Sequence, residues 1–136
     1  MKTKYLKELI REILENHDLH PDKDFLYRVA NIESNGGEWL KQLGGGPGRG
    51  YFQYEEWVAV DVINRTDIEM PPIEQLRAQL TYDLEFQVIL ARKHLYTIRE
   101  EIPPDLVRQA EYWKKYWNTE LGKGKVQQFI AKNKGK

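Results

Sequence analysis

One glutamate in this sequence has the surroundings of a proton-donating acid. Leu26, Ala30 and Glu33 are spaced i, i+4 and i+7, so Glu33 continues an apolar row along a predicted helix. Glycines follow directly, so the carboxyl group lies where that helix ends. Partial burial raises the pKa of a carboxyl group, which then keeps its proton near neutral pH and can donate it to a leaving oxygen. The alternative is a structural glutamate that caps the helix, pairs with a cation or faces water.

A glycine-rich loop with an aromatic exit follows this glutamate. Five of the seven residues 44–50 are glycine, so backbone groups there could approach a ligand closely. The loop lacks the lysine and hydroxyl pair of a phosphate-binding loop, and no parallel-sheet pattern surrounds it. It is followed by Tyr51, Phe52, Gln53 and Tyr54. Flat rings suit sugar faces and amides suit N-acetyl groups, so this composition favours a carbohydrate cleft, with core packing of Tyr51 and Phe52 as the alternative.

The same segment carries a resemblance to a known group of enzymes. A Glu-Ser pair that ends a helix, followed by a loop and then Gly-x-x-Gln, resembles the lytic transglycosylase and goose-type lysozyme superfamily. The matching residues are Glu33-Ser34 and Gly50-Tyr51-Phe52-Gln53. The longer stretch through residue 55, and the late segment 112–124, are similar to small phage-encoded proteins of this kind. The resemblance covers about residues 25–130, and residues 31–55 are its specific part.

The resemblance implies a peptidoglycan-cleaving glycosidase, either a lytic transglycosylase or a lysozyme (muramidase). Such an enzyme acts on the bond between N-acetylmuramic acid and N-acetylglucosamine, and Glu33 would be its catalytic acid. The residues implied to bind substrate are Ser34, Gly50, Tyr51, Gln53, Trp117 and Asn118. The sequence departs from the superfamily at two places. Phe52 stands where methionine is common, and the Trp117-Asn118 pair lacks the usual sequel of a small residue and glycine.

The reaction type depends on whether a second carboxyl group takes part. Glu55, just past Gln53, is the nearest candidate for the second acid that a lysozyme requires. Lytic transglycosylases use one glutamate, which protonates the glycosidic oxygen and then helps the muramoyl 6-hydroxyl to close a 1,6-anhydro ring. Glu55 could instead be an exposed residue in the first turn of a helix, where a negative charge is favourable. We favour the single-glutamate mechanism and treat Glu55 as an optional second acid.

The elements that position these residues are predicted to be helices. Apolar residues from Ile73 to Ile98 step by three or four, which predicts one central helix of about 25 residues. Pro103-Pro104 ends that helix and begins another. Further helices are predicted over about 3–16, 24–34 and 54–63 and near 126–130, with a loop or short irregular hairpin over 35–51. The predicted fold class is therefore all-α, or at most α+β and lysozyme-like with a minimal irregular hairpin.

Length and charge limit the remaining possibilities. The 136 residues fit one lysozyme-like domain over 1–136, in which residues 123–136 form a partly flexible basic tail. A net charge of zero argues against general nucleic-acid binding. No stretch has the length of a membrane span, and the first residues do not resemble a signal peptide. The chain has no cysteine and no histidine spacing typical of a metal site, so we expect neither a metal nor a cofactor.

Two classes of function remain open. The first is the glycosidase, whose partners are peptidoglycan glycan strands. The alternative is a catalytically inactive phage virion or host-interaction protein that keeps a lysozyme-like glycan-binding scaffold, because fold does not dictate function. We expect a monomer that is made in the host cytoplasm and reaches the cell wall by lysis or as a virion component. Other virion proteins are further candidate partners.

Overall fold

The computed structural model describes residues 3–136, which form seven α-helices. These are α1 (Thr3–Asn16), α2 (Lys23–Ser34), α3 (Glu56–Asn64), α4 (Ile73–Tyr82), α5 (Leu84–Tyr96), α6 (Leu106–Tyr112) and α7 (Val126–Asn133). A 3₁₀ turn covers Leu43–Gly45, and a π-helical turn over Trp113–Asn118 continues α6. Over these residues the only β-pairing is two isolated bridges in the loop before α3, so the predicted all-α class is confirmed.

The centre of the core is formed by α1, α2 and α5. Leu6, Ile10 and Leu14 recur every four residues on α1 and are fully buried against α2 and α5. Burying a leucine or isoleucine side chain contributes roughly 1.5–3 kcal/mol, so this one stripe is a large part of what holds α1 in place. Helix α5 also contacts α3 and α4, which makes it the most central helix. None of the helices within residues 3–136 has the length and apolar character of a membrane span.

The predicted single helix over residues 73–98 is wrong, because the chain breaks at Asp83 into α4 and α5. Asp83 has extended backbone angles (φ −94°, ψ 94°), and its carboxylate accepts a hydrogen bond from the Phe86 N–H at 3.0 Å. It therefore acts as the N-cap of α5. The apolar rows on the two sides of the break, which include Leu80 and Val88, both face the core. Apolar spacing alone consequently gave no sign of the interruption.

The basic segment 123–136, for which the sequence predicts partial flexibility, contains α7 and contributes to the core. Phe129 and Asn133 are fully buried, and α7 packs against α2 and α6. The Asn133 amide accepts a hydrogen bond from the Asn31 side chain at 3.1 Å and donates one to the Arg28 carbonyl at 3.1 Å. These bonds fasten the C-terminal helix to α2, the helix that carries the candidate acid.

We expect the substitution Asp83→Ala to lower the free energy of unfolding by about 1 kcal/mol, the typical contribution of an N-cap side chain. Asp83→Asn keeps an oxygen that can accept from the Phe86 N–H and should leave stability nearly unchanged. Urea denaturation followed by circular dichroism measures both variants. Equal stability of the alanine variant and the unsubstituted protein would contradict a capping role for Asp83.

Candidate active site

Glu33 lies in the last turn of α2, directly before a sharp change of chain direction. The helix ends at Ser34 because Asn35 adopts the left-handed conformation (φ 52°, ψ 49°), and its N–H donates to the Asn31 carbonyl at 3.1 Å. Asparagine is one of the few residues other than glycine that tolerates this conformation. The chain can therefore leave the helix one residue after Glu33 and turn away from its side chain.

Ser34 joins the end of α2 to the glycine-rich loop. Its side chain is fully buried and accepts a hydrogen bond from the Gly37 N–H at 2.9 Å. The hydroxyl lies 2.8 Å from the Tyr51 carbonyl and 3.0 Å from the Ala30 carbonyl, between which its one proton is shared. Ser34 is not among the residues that line the cleft described below. The structure thus places this predicted substrate-binding residue behind the site, where it fixes Glu33 relative to the loop.

The sequence predicts a loop or short irregular hairpin over residues 35–51, and the structure has an irregular loop with two isolated bridges over residues 40–54. Arg49 and Tyr54 exchange backbone hydrogen bonds of 2.9 Å in both directions, and the Gly50 N–H donates to the Leu40 carbonyl at 2.7 Å. Gly50 has a positive φ of 83°, and a Cβ atom there would lie 1.9 Å from the Leu80 carbonyl oxygen. Only glycine fits this approach of the loop to the end of α4.

Gly50 and Tyr51, both predicted to bind substrate, also lie outside the cleft lining. Gly50 is buried, and the Tyr51 N–H donates to the side-chain oxygen of Gln87 at 2.7 Å. The Gln87 amide in turn donates to the Gln79 carbonyl at 3.1 Å. These contacts dock the loop onto α4 and α5, so the structure gives both residues a role in supporting the site from behind.

A cleft of about 390 Å³ opens between the end of α2, the loop, α3, α5 and the π-helical turn. It brings together Glu33 and four other predicted site residues, namely Gln53, Glu55, Trp117 and Asn118. Phe52 and Tyr54 of the aromatic exit also line the cleft, and four lining residues were not predicted: Gln42, Val58, His94 and Gly122. The roles of all these residues toward a substrate remain predictions, but the cleft gives them a common surface.

The Glu33 carboxyl group is held in a poorly solvated position by a buried tryptophan. The Trp113 Nε1–H donates to Oε2 of Glu33 at 3.0 Å, and Trp113 itself packs against Phe129 of α7 at 5.2 Å between ring centroids. Burial raises the pKa of Glu33 from 4.5 to about 7, and the Trp113 hydrogen bond offsets part of that rise. The partial negative charge at the C-terminal end of α2 acts in the same direction as burial. Near neutral pH the side chain is thus a mixture of acid and carboxylate.

An aromatic wall built around Trp117 faces the cleft. The Trp117 ring lies 5.4 Å from Tyr54, 5.3 Å from His94 and 6.2 Å from Phe52, measured between centroids. The π-helical turn, closed by a Thr119 N–H bond to the carbonyl five residues earlier at 2.8 Å, presents this ring. Such turns are rare and occur often at functional sites.

His94 is a cleft residue that sequence reasoning missed. Its Nδ1 lies 2.9 Å from the Tyr54 hydroxyl, and burial lowers its pKa to about 4, so the ring is neutral at neutral pH. A single histidine, with no second ligand or catalytic partner at a characteristic spacing, does not indicate a functional role from sequence. Its position on the cleft-facing side of α5 is visible only once the helices are packed.

The remaining predicted residues have additional contacts within the protein. The Gln53 side-chain amide donates to the carbonyls of Trp39 and Gly50, both at 2.9 Å, and so braces the loop. The Asn118 side-chain oxygen accepts from the Lys114 ammonium at 2.7 Å. The Glu55 carboxylate accepts a hydrogen bond from the Trp57 indole N–H at 3.1 Å.

A broader groove of about 1380 Å³ continues from the cleft and shares Glu33 and Glu55 with it. It runs between α3, which contributes Trp57 and Asp61, and α7, which contributes Lys132. Glu33 therefore borders both the cleft and the broader groove. Within the described part of the chain, no three histidine or acidic side chains are grouped as metal ligands.

Comparison of the chain with protein-family models, with curated proteins and with solved structures gives no match. A functional interpretation therefore depends on the geometry of the cleft and on the motif that surrounds Glu33.

The substitution Glu33→Gln should make stability less dependent on pH. A folded-state pKa above the unfolded value of 4.5 means that the unsubstituted protein loses stability as pH rises from about 4.5 through about 7. The full loss is at most about 3 kcal/mol, since the folded state must carry a poorly solvated carboxylate. Thermal unfolding should give equal stabilities for both proteins at pH 4, and at pH 8 the Glu33→Gln variant should be the more stable. If the variant and the unsubstituted protein differed in stability by the same amount at pH 4 and at pH 8, the Glu33 carboxyl group could not be buried with a raised pKa.

The substitution Trp113→Phe should raise the pKa of Glu33 above about 7, because it removes the hydrogen bond that favours the carboxylate. Carboxyl ¹³C chemical shifts followed by NMR through a pH titration measure this value directly. A matched control is Trp39→Phe, which changes a tryptophan in the loop outside the cleft lining. A pKa of Glu33 that falls or stays the same in the Trp113 variant would show that the hydrogen bond does not tune the acid.

Proposed function

We propose that this protein is a peptidoglycan-cleaving glycosidase, a lytic transglycosylase or muramidase, that cuts the bond between N-acetylmuramic acid and N-acetylglucosamine. The observation that carries the proposal is the position of Glu33. Its carboxyl group has a pKa of about 7 and borders both an open cleft and the broader groove that continues from it. The motif around Glu33 resembles the transglycosylase and goose-type lysozyme superfamily, and this resemblance is the reason for proposing peptidoglycan as the substrate.

In the first proposed step, protonated Glu33 donates its proton to the glycosidic oxygen as the bond from that oxygen to C1 of the muramoyl sugar breaks. The leaving sugar departs with a hydroxyl group, and positive charge develops at C1. The N-acetyl oxygen of the same sugar can share that charge. A carboxyl group with its pKa near 7 suits this step because it is still protonated when the reaction begins and becomes a base afterwards.

In the second proposed step, the Glu33 carboxylate removes a proton from the nucleophile that attacks C1. If the nucleophile is the muramoyl 6-hydroxyl, a 1,6-anhydro ring closes and the reaction is that of a lytic transglycosylase. If it is water, a reducing end forms and the reaction is that of a muramidase. The aromatic wall around Trp117 and the amides of Gln53 and Asn118 supply the surfaces on which the sugars would lie.

Glu33→Gln should lower the rate of peptidoglycan cleavage by about three orders of magnitude or more, since the amide cannot donate the proton. Purified protein incubated with peptidoglycan, with the products identified by mass spectrometry, measures this loss. Glu111→Gln, which neutralises an exposed glutamate on α6, is the matched control and should retain full activity. Anhydro-muropeptides would identify a transglycosylase, and reducing ends a muramidase.

The pH profile offers an independent check on the same assignment. Since the reaction begins from protonated Glu33, kcat/KM should fall about tenfold per pH unit above about 7.

A fully active Glu33→Gln variant would refute the role of this residue as the acid. Glycan binding without any cleavage product would favour the non-catalytic scaffold of a virion or host-interaction protein.

A further inference from the structure

Trp57 is a large apolar side chain that the fold leaves in solvent. Its relative exposure is 70%, although tryptophan is among the side chains that gain most from burial. The ring is nevertheless anchored, because its Nε1–H donates to Oε2 of Glu55 at 3.1 Å. Trp57 is the second residue of α3, so its backbone is fixed by the helix. An exposed but oriented indole presents a flat apolar face that makes no contribution to the core.

The position of Trp57 connects two grooves. One is the broad groove that contains Glu33, and Trp57 forms part of its lining. The other is a groove of about 640 Å³ on the far side of Trp57, bordered by Pro47 of the loop and Ile73 and Arg77 of α4. The two grooves share Glu55 and Trp57. The indole ring therefore lies where the two grooves meet.

We propose that Trp57 forms a saccharide-binding subsite remote from the scissile bond, and that Glu55 is a positioning residue that holds the indole in place. The inference rests on the proposed function and extends it from the cleaved bond to the length of glycan that the protein recognises. The negatively polarised face of an indole attracts the C–H groups on a pyranose face. Stacking needs no partner of a particular charge, so neutral sugars of the glycan backbone are the ligand class that fits.

This assignment also gives Glu55 a role other than that of a second acid. Its carboxylate already accepts a hydrogen bond from the indole, and an amide oxygen in the same place could accept that bond equally well. The orientation of Trp57 should therefore survive Glu55→Gln but not Glu55→Ala. A residue that acts through its charge as a base or nucleophile would not be replaceable in this way.

The test measures binding of chitobiose and chitohexaose by isothermal titration calorimetry, in the Glu33→Gln background so that no sugar is cleaved. Adding Trp57→Ala should weaken chitohexaose binding about tenfold, the effect of losing roughly 60 Å² of apolar stacking area, and should leave chitobiose binding unchanged. Glu55→Ala should give part of the same length-dependent loss, and Glu55→Gln should restore the affinity. Tyr82→Ala, which removes an aromatic ring of 63% exposure on α4, is the matched control and should change neither affinity.

Unchanged chitohexaose affinity in the Trp57→Ala variant would overturn the subsite while leaving the proposed glycosidase intact. Equal losses for the short and the long oligosaccharide would overturn it too, because a remote subsite contacts only the longer ligand. If the Glu33→Gln reference protein binds neither oligosaccharide, both the subsite and the glycan-directed function are refuted. As a direct readout, the indole N–H signal of Trp57 in an NMR spectrum should shift on addition of chitohexaose and not of chitobiose.

Discussion

The site depends on one constraint: a carboxyl group must be poorly solvated and still border an open cleft. Glu33 meets it at the end of α2, where the buried Trp113 indole supplies the one hydrogen bond that moderates the desolvation. Trp113 is held in turn by Phe129 of α7, so the last helix of the chain maintains the protonation behaviour of a residue near its beginning. The C-terminal segment is consequently part of the scaffold that supports the candidate site.

The motif residues around Glu33 contribute mainly by docking one segment onto another. Ser34 bonds the end of α2 to the loop, and Gly50 lets the loop approach the Leu80 carbonyl near the end of α4. The Gln79 carbonyl accepts from the Asp83 N–H at 3.0 Å and also from the Gln87 amide at 3.1 Å, and the Gln87 side-chain oxygen accepts from the Tyr51 N–H. Gln87 therefore joins the loop to the junction of α4 and α5, where the predicted long helix is interrupted.

Aromatic packing forms one wall of the cleft. Trp117, Tyr54 and His94 form one cluster, and burial keeps the histidine neutral at neutral pH. Glu55 accepts a hydrogen bond from the Trp57 indole. Glu33 is therefore the cleft carboxyl group whose surroundings, through its raised pKa, suit proton transfer. A cleft wall formed by aromatic rings is compatible with the flat sugar rings of the proposed substrate.

The sequence by itself determined most of the helices and the placement of Glu33, because apolar periodicity and glycine clusters are local properties that act within a few residues. It predicted α1, α2 and the irregular loop closely, and it placed Glu33 on an inward-facing row. Apolar periodicity did not reveal the break at Asp83, since apolar rows of the same spacing continue on both sides of it. Only the tertiary structure decided that Ser34 and Gly50 lie behind the cleft and that His94 lines it. The 80 residues that separate Trp113 from Glu33 show the physical reason. Burial and hydrogen bonding depend on which distant segments meet, and residue spacing along the chain does not reveal which segments those are.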